Sequence, residues 1–142
     1  MNIALISAGS NIHAAENIAK AKAFLSKKFP NSTFTRNLIT KPIGFVDQPD
    51  FMNAIFCVKT EQNRAELNLV LKEVENLLGR IRTENKFGPR TIDLDIVVWN
   101  EKVVDDDVYT REFLRDLVVE VLPEMKNVFS RPKTNKGRSK RS

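Results

Sequence analysis

The stretch "GPRTIDLDIVVW", residues 88 to 99, restricts the folds open to this chain more than any other segment. Its β-branched and apolar content reads as a strand over 91–99, yet it carries Asp93, Asp95 and, just ahead of it, Arg90. Side chains alternate along a strand, so Asp93 and Asp95 share one face while Ile92, Leu94 and Ile96 share the other. Such a strand belongs in a sheet that is packed by helices on one face and accepts charge on the other. The two aspartate α-carbons are expected roughly 7 Å apart. Two readings suit that spacing. In one, the acids answer Arg90 and neighbouring lysines on an exposed face. In the other, a cation relieves their repulsion, and Mg²⁺ fits because it takes one or two protein carboxylates and fills its octahedron with water and phosphate oxygens.

The rest of the chain supplies the helices and partner strands. "NIALIS" (2–7) reads as a strand closed by "AGSN", and 14–28 places Ile18, Ala21, Phe24 and Leu25 at helical spacing. "STFTRNLIT" (32–40) alternates as a strand, whereas the two prolines and one glycine of "KPIGFVDQPD" (41–50) predict an ordered loop. A strand is expected over 51–60 and a helix over 64–81, where Leu67, Val70, Leu71, Val74, Leu77 and Leu78 form one face. After strand 91–99 comes an acidic turn, "NEKVVDDD", and then a helix over 110–121. The order β-α-β-β-α-β with a C-terminal helix predicts an α+β, ferredoxin-like fold: an antiparallel four-stranded sheet, helices on one face, the other face open for a site.

Charge and composition exclude several classes. The net charge of +5 depends on the tail "RPKTNKGRSKRS", which holds six Lys or Arg and no acid. Residues 1–130 therefore carry 17 basic against 18 acidic groups. One domain over 1–130 and a disordered basic tail over 131–142 are expected. An RNA-binding sheet would show aromatics on its open face; paired aspartates there repel phosphate, so nucleic acid is not the expected partner. No run approaches the roughly 20 apolar residues of a membrane span, and the N-terminus has no basic region before its apolar run. Cys57, the only cysteine, sits in an apolar strand, which excludes an internal disulfide and fits a reducing cytoplasmic setting. A monomer acting on small molecules is expected.

Two neighbourhoods favour the cation. Arg80, Arg82, Lys86 and Arg90 crowd into eleven residues, 80–90, that end just before the aspartates, and positive charge beside an acidic metal site is what transfer of a polyphosphate group requires. Gly88 and Pro89 offer that loop a hinge and a stiff stop. In "GFVDQPDFMNA", Phe51 and Asn53 share a strand face, pairing a stacking ring with an amide that both donates and accepts. The same pair also suits a core phenylalanine beside a strand-end asparagine.

Together "AGSN", "PIGFVDQPDFMNA" and "LGRIRTENKFGPRTIDLDI" resemble the 6-hydroxymethyl-7,8-dihydropterin pyrophosphokinases, over about residues 3 to 125. The resemblance implies transfer of diphosphate from ATP to the pterin alcohol, with release of AMP, in folate biosynthesis. It implies two Mg²⁺ ions on Asp93 and Asp95, and Arg80, Arg82 and Arg90 steadying the nucleotide and the transferring group. It implies a pterin pocket of Gly9, Thr40, Ile43, Phe51, Asn53 and Phe113, and nucleotide-side positions at Glu75, Arg82, Phe87, Arg90, Ile96 and Arg111. Phe87 stands where the family usually has tryptophan, Lys41 where it has proline, and "DDDVYTR" (105–111) lacks its Pro-His. A pterin-binding relative with altered transfer chemistry is the alternative. His13, the sole histidine, is expected to open the first helix rather than to catalyse.

Overall fold

The computed structural model describes residues 1–42, 44, 47–79 and 91–129. Along it run β1 (Asn2–Ser10), α1 (Ala14–Lys28), β2 (Thr33–Phe34), β3 (Leu38–Thr40), β4 (Phe51–Thr60), α2 (Arg64–Leu77), β5 (Asp93–Trp99), β6 (Lys102–Val103), α3 (Asp107–Thr110) and α4 (Glu112–Val121). The strands pair antiparallel in the order β2-β4-β1-β5-β6, with β3 also on β4, giving an α+β fold. The sheet has six strands among the described residues, not four. Helix α1 and strand β4 match their sequence-predicted spans. Helix α2 starts on a capping box in which Asn63 and Glu66 each accept the other's backbone N–H, and it ends at Leu77 rather than 81 because Gly79 takes a left-handed φ of 85°. His13 opens α1 as expected, exposed and with φ 43°. The expectations for Ile43, for Arg80, Arg82, Lys86, Phe87, Gly88, Pro89 and Arg90, and for the tail 131–142 concern residues outside those described.

The extra strands have identifiable causes. The expected strand 32–40 is split at Thr35, whose hydroxyl oxygen accepts the Ile55 N–H at 2.9 Å while its own N–H donates to the Ile55 carbonyl at 3.0 Å. Pairing resumes one residue out of step: Thr33 opposes Cys57 and Phe34 opposes Phe56, but Leu38 opposes Asn53. A one-residue shift exchanges sheet faces, so Phe34 packs with one core cluster and Leu38 with the other. At the other edge, β6 forms where an acidic turn was expected. Asn100 and Glu101 both take positive φ, 49° and 66°, making a tight hairpin that lacks the usual glycine.

The alternation along β1 separates the two clusters. Ala4, Ile6 and Ala8 pack with Ile18, Ala21 and Leu25 of α1 and Leu67, Leu71 and Val74 of α2. Leu5 joins Ile55, Cys57, Val97 and Val98 beneath Leu114, Leu117 and Val118 of α4. The expectation of helices on one face only is thereby corrected: the strongly apolar stripe of α4 needed a partner, and the second face supplied it.

Thr35→Val should leave the buried Ile55 N–H without its side-chain acceptor and cost about 1–3 kcal/mol in urea unfolding. No change in the unfolding midpoint would show that the Thr35 bulge does not hold the β2–β3 break.

Candidate active site

The site is a row across four strands. Gly9 of β1 pairs with Asp93 of β5 on one side and Asn53 of β4 on the other, and Asn53 pairs with Leu38 of β3. In the next row Ser7 lies between Asp95 and Ile55. Ile55 belongs to the α4-side cluster and Leu94 to the α1/α2-side cluster, so Asp93, Asp95 and Asn53 share the face that bears α4. From the spacing of adjacent strands, the α-carbons of Asp93 and Asn53 stand about 10 Å apart across Gly9.

The residues of "AGSN" each have a task at this row. A β-carbon on Gly9 would sit 3.2 Å from Asn53 Oδ1, so the glycine gives the carboxamide its room. Ser10 donates its hydroxyl hydrogen to the Thr91 carbonyl and ties the approach to β5 against β1. Asn11 donates from Nδ2 to Gln48 Oε1 at 2.7 Å and to the Pro49 carbonyl at 3.1 Å, anchoring the chain that leads into Phe51. The Thr35 bulge turns Thr40 onto the same face, where its Oγ1 accepts from Asn53 Nδ2 at 2.6 Å. Phe51, two residues before Asn53, shares that face, and Phe113, on the first turn of α4, packs against the same cluster. The structure thus brings Gly9, Thr40, Phe51, Asn53 and Phe113 to one side of the sheet.

The nucleotide-side candidates divide. Glu75 is fully buried, and its Oε2 accepts the Leu94 N–H at 2.7 Å. Ile96 packs on the opposite face, with the α1/α2 cluster. Arg111 sits just ahead of α4 with Nη2 3.7 Å from Asp107 Oδ2. Sequence reading missed Lys72, whose Nζ lies 3.6 Å from Asp95 Oδ1 and 3.2 Å from Glu75 Oε2. The signal was present: Lys72 stands three residues before Glu75, between core residues Leu71 and Val74.

Burial and then the Asp93 charge push the Asp95 carboxyl up from the ordinary 3.8 to about 6, with Lys72 pulling the other way and Glu75 adding to the rise. A hydrogen bond between the two carboxyls adds a smaller push in the same direction. The donor set suits a hard divalent ion: two like-charged oxygen ligands on adjacent same-face positions, with the Asp95 side chain 47% exposed and therefore reachable. The folded chain binds the Asp95 proton more tightly than the unfolded one, so Asp95's contribution to stability falls as pH rises from about 4 through 6. Carboxyl ¹³C NMR of the cation-free protein should give Asp95 a midpoint near 6, moving down in Asp93→Asn. A midpoint at the ordinary value would remove the electrostatic basis of the pair.

Comparison with known proteins names the arrangement. A family model described as 7,8-dihydro-6-hydroxymethylpterin-pyrophosphokinase matches residues 5–123. A 2-amino-4-hydroxy-6-hydroxymethyldihydropteridine pyrophosphokinase of Bacillus subtilis is 37% identical over 109 residues, covering 75% of this chain and 65% of the relative. The protein of the same name from Haemophilus influenzae is 31% identical over 125 residues, 80% of this chain and 78% of its own length. A folate synthesis bifunctional protein of Arabidopsis thaliana is 33% identical over 105 residues, 72% of this chain but 22% of that larger protein. Since the matched residues 5–123 run from β1 through α4 and take in the whole carboxylate–glycine–asparagine row, this chain belongs to the 7,8-dihydro-6-hydroxymethylpterin-pyrophosphokinase family.

Proposed function

We propose that this chain transfers diphosphate from ATP to 6-hydroxymethyl-7,8-dihydropterin, releasing AMP, as a step of folate biosynthesis. The observation that supports it most is the shared row: a pair of acids and a ring-binding amide on one sheet face, one strand apart on either side of Gly9. Family likeness and the names of the relatives support the same reading.

Asp93 and Asp95 are the residues that would hold Mg²⁺, two ions by family likeness, and the metal would supply charge neutralisation to the phosphate oxygens. Asn53 commits one N–H to Thr40 and keeps its carboxamide oxygen toward Gly9, so it can accept from the edge of a planar heterocycle. Thr40 accepts that bond and retains its own hydroxyl hydrogen as a donor. Phe51 and Phe113 supply ring faces, and Ile43 is assigned to the same pocket by likeness alone. Arg80, Arg82 and Arg90 are assigned to hold the triphosphate, with Phe87 and Arg111 on the nucleotide side by likeness; Ile96, on the opposite face of β5, is not assigned there. The chemistry is an in-line attack of the pterin hydroxymethyl oxygen on the β-phosphorus: the new O–P bond forms as the bond to the α-phosphate oxygen breaks, AMP leaves with that oxygen, and the alcohol proton passes to Asp95 or to water. Alignment and charge neutralisation are the main requirements, so no protein nucleophile is assigned.

Among the described residues no helix is long and apolar enough to cross a membrane. A cytoplasmic setting suits the buried, unpaired Cys57, whose thiol burial pushes up away from its reactive form.

The test follows AMP release from MgATP and hydroxymethyldihydropterin. Wild-type protein should turn over, and Asp95→Ala should lose about a hundredfold or more in kcat. Asn53→Ala should weaken the pterin by about tenfold or more with the carboxylates intact. AMP release unaltered in Asp95→Ala would contradict the assignment, and pterin binding without AMP release in the wild type would mark a relative that has lost the transfer.

A further inference from the structure

Strand β5 is bordered by β1 along its length but by β6 only at Val98 and Trp99. Among the described residues no strand borders the outer edge toward its start, where the Leu94 peptide lies between the two aspartates. A side-chain pair takes the missing strand's place there. The Leu94 N–H donates to Glu75 Oε2 at 2.7 Å, and the Leu94 carbonyl accepts from Lys72 Nζ at 3.2 Å. The pair closes on itself, Lys72 Nζ lying 3.2 Å from the same Glu75 oxygen, and Nζ continues to Asp95 Oδ1 at 3.6 Å. Glu75 is fully buried, a placement that is costly for a carboxylate unless a cation and a backbone donor answer it, and both do. This is a built contact rather than a surface ion pair.

We propose that Lys72 and Glu75 are positioning residues: they clamp the Leu94 peptide from the open edge of β5 and so fix the pleat that aims Asp93 and Asp95 at the substrates. The inference rests on the transfer reading above for its kinetic part alone. It gives Glu75, matched by likeness to the nucleotide side, a role through the strand. It gives Lys72 a role that nothing in the sequence motifs assigns. A lysine fits because a donor on a flexible stem reaches a carbonyl and two carboxylates at once.

The experiment uses the full chain, below the thermal midpoints of all variants. In Lys72→Met, exchange of the Leu94 amide should speed up about tenfold or more while the Ile18 and Leu25 amides of α1 keep their wild-type rates. The same variant should lose about tenfold in kcat for AMP release with the pterin KM within about twofold, and Lys72→Arg, which keeps a charged donor, should recover most of both. Unchanged Leu94 exchange would overturn the clamp. Faster exchange with unchanged kcat would make the pair structural and overturn its role in the site. Should the wild-type protein release no AMP, the transfer reading fails by itself, and the clamp is then decided by the Leu94 amide.

Discussion

Like charges on neighbouring same-face positions of one strand repel, and a fold that holds Asp93 and Asp95 together has to hold them against that force. Burial raises the Asp95 carboxyl to about 6, and the Asp93 charge adds to that rise. Much of the surrounding architecture is the set of contacts that holds the pair in place. β1 pairs along the inner edge, Leu94 is buried between the acids on the opposite face, and Lys72 with Glu75 closes the outer edge. A divalent ion would relieve the repulsion that the protein sustains without it.

The same economy of position explains the pterin side. Gly9 serves both halves of the site, bordering Asp93 on one edge and leaving room for the Asn53 carboxamide on the other. The one-residue slip at Thr35 is equally consequential. Without it Thr40 would face the α1/α2 layer instead of bonding Asn53. A bulge at a sheet edge has here re-aimed a side chain toward the site.

Helix α1 was legible from its buried stripe, β4 from a strand-length apolar run buried on both faces, and the face of β5 from the alternation of Asp93 and Asp95 with Leu94. The split of strand 32–40 was not legible, since it turns on Thr35 offering its hydroxyl in place of a ladder bond, and threonine is equally at home in an unbroken strand. Strand β6 hid behind a hairpin with Asn100 and Glu101 at positive φ, where glycine would have announced it. The second helix-covered face could be foreseen only by asking where the stripe of α4 would go. Of the site, the acids, Gly9 and Asn53 were readable from local motifs. Lys72 was missed although its spacing to Glu75 could be read, because the partners that give it a role, Leu94 and Asp95, lie far along the chain.

The segment that departs most from the family pattern, 105–111, folds into α3 and sets Arg111 beside Asp107 on the surface. Both partners are exposed enough that the pair is weak. The most direct measurement of the account is a crystal structure of the chain with Mg²⁺, a non-hydrolysable ATP analogue and hydroxymethyldihydropterin. The account predicts metal density bridging the Asp93 and Asp95 carboxylates to phosphate oxygens, with the pterin ring edge on Asn53. Metal bound away from both aspartates, or a pterin on the α1/α2 face, would contradict it.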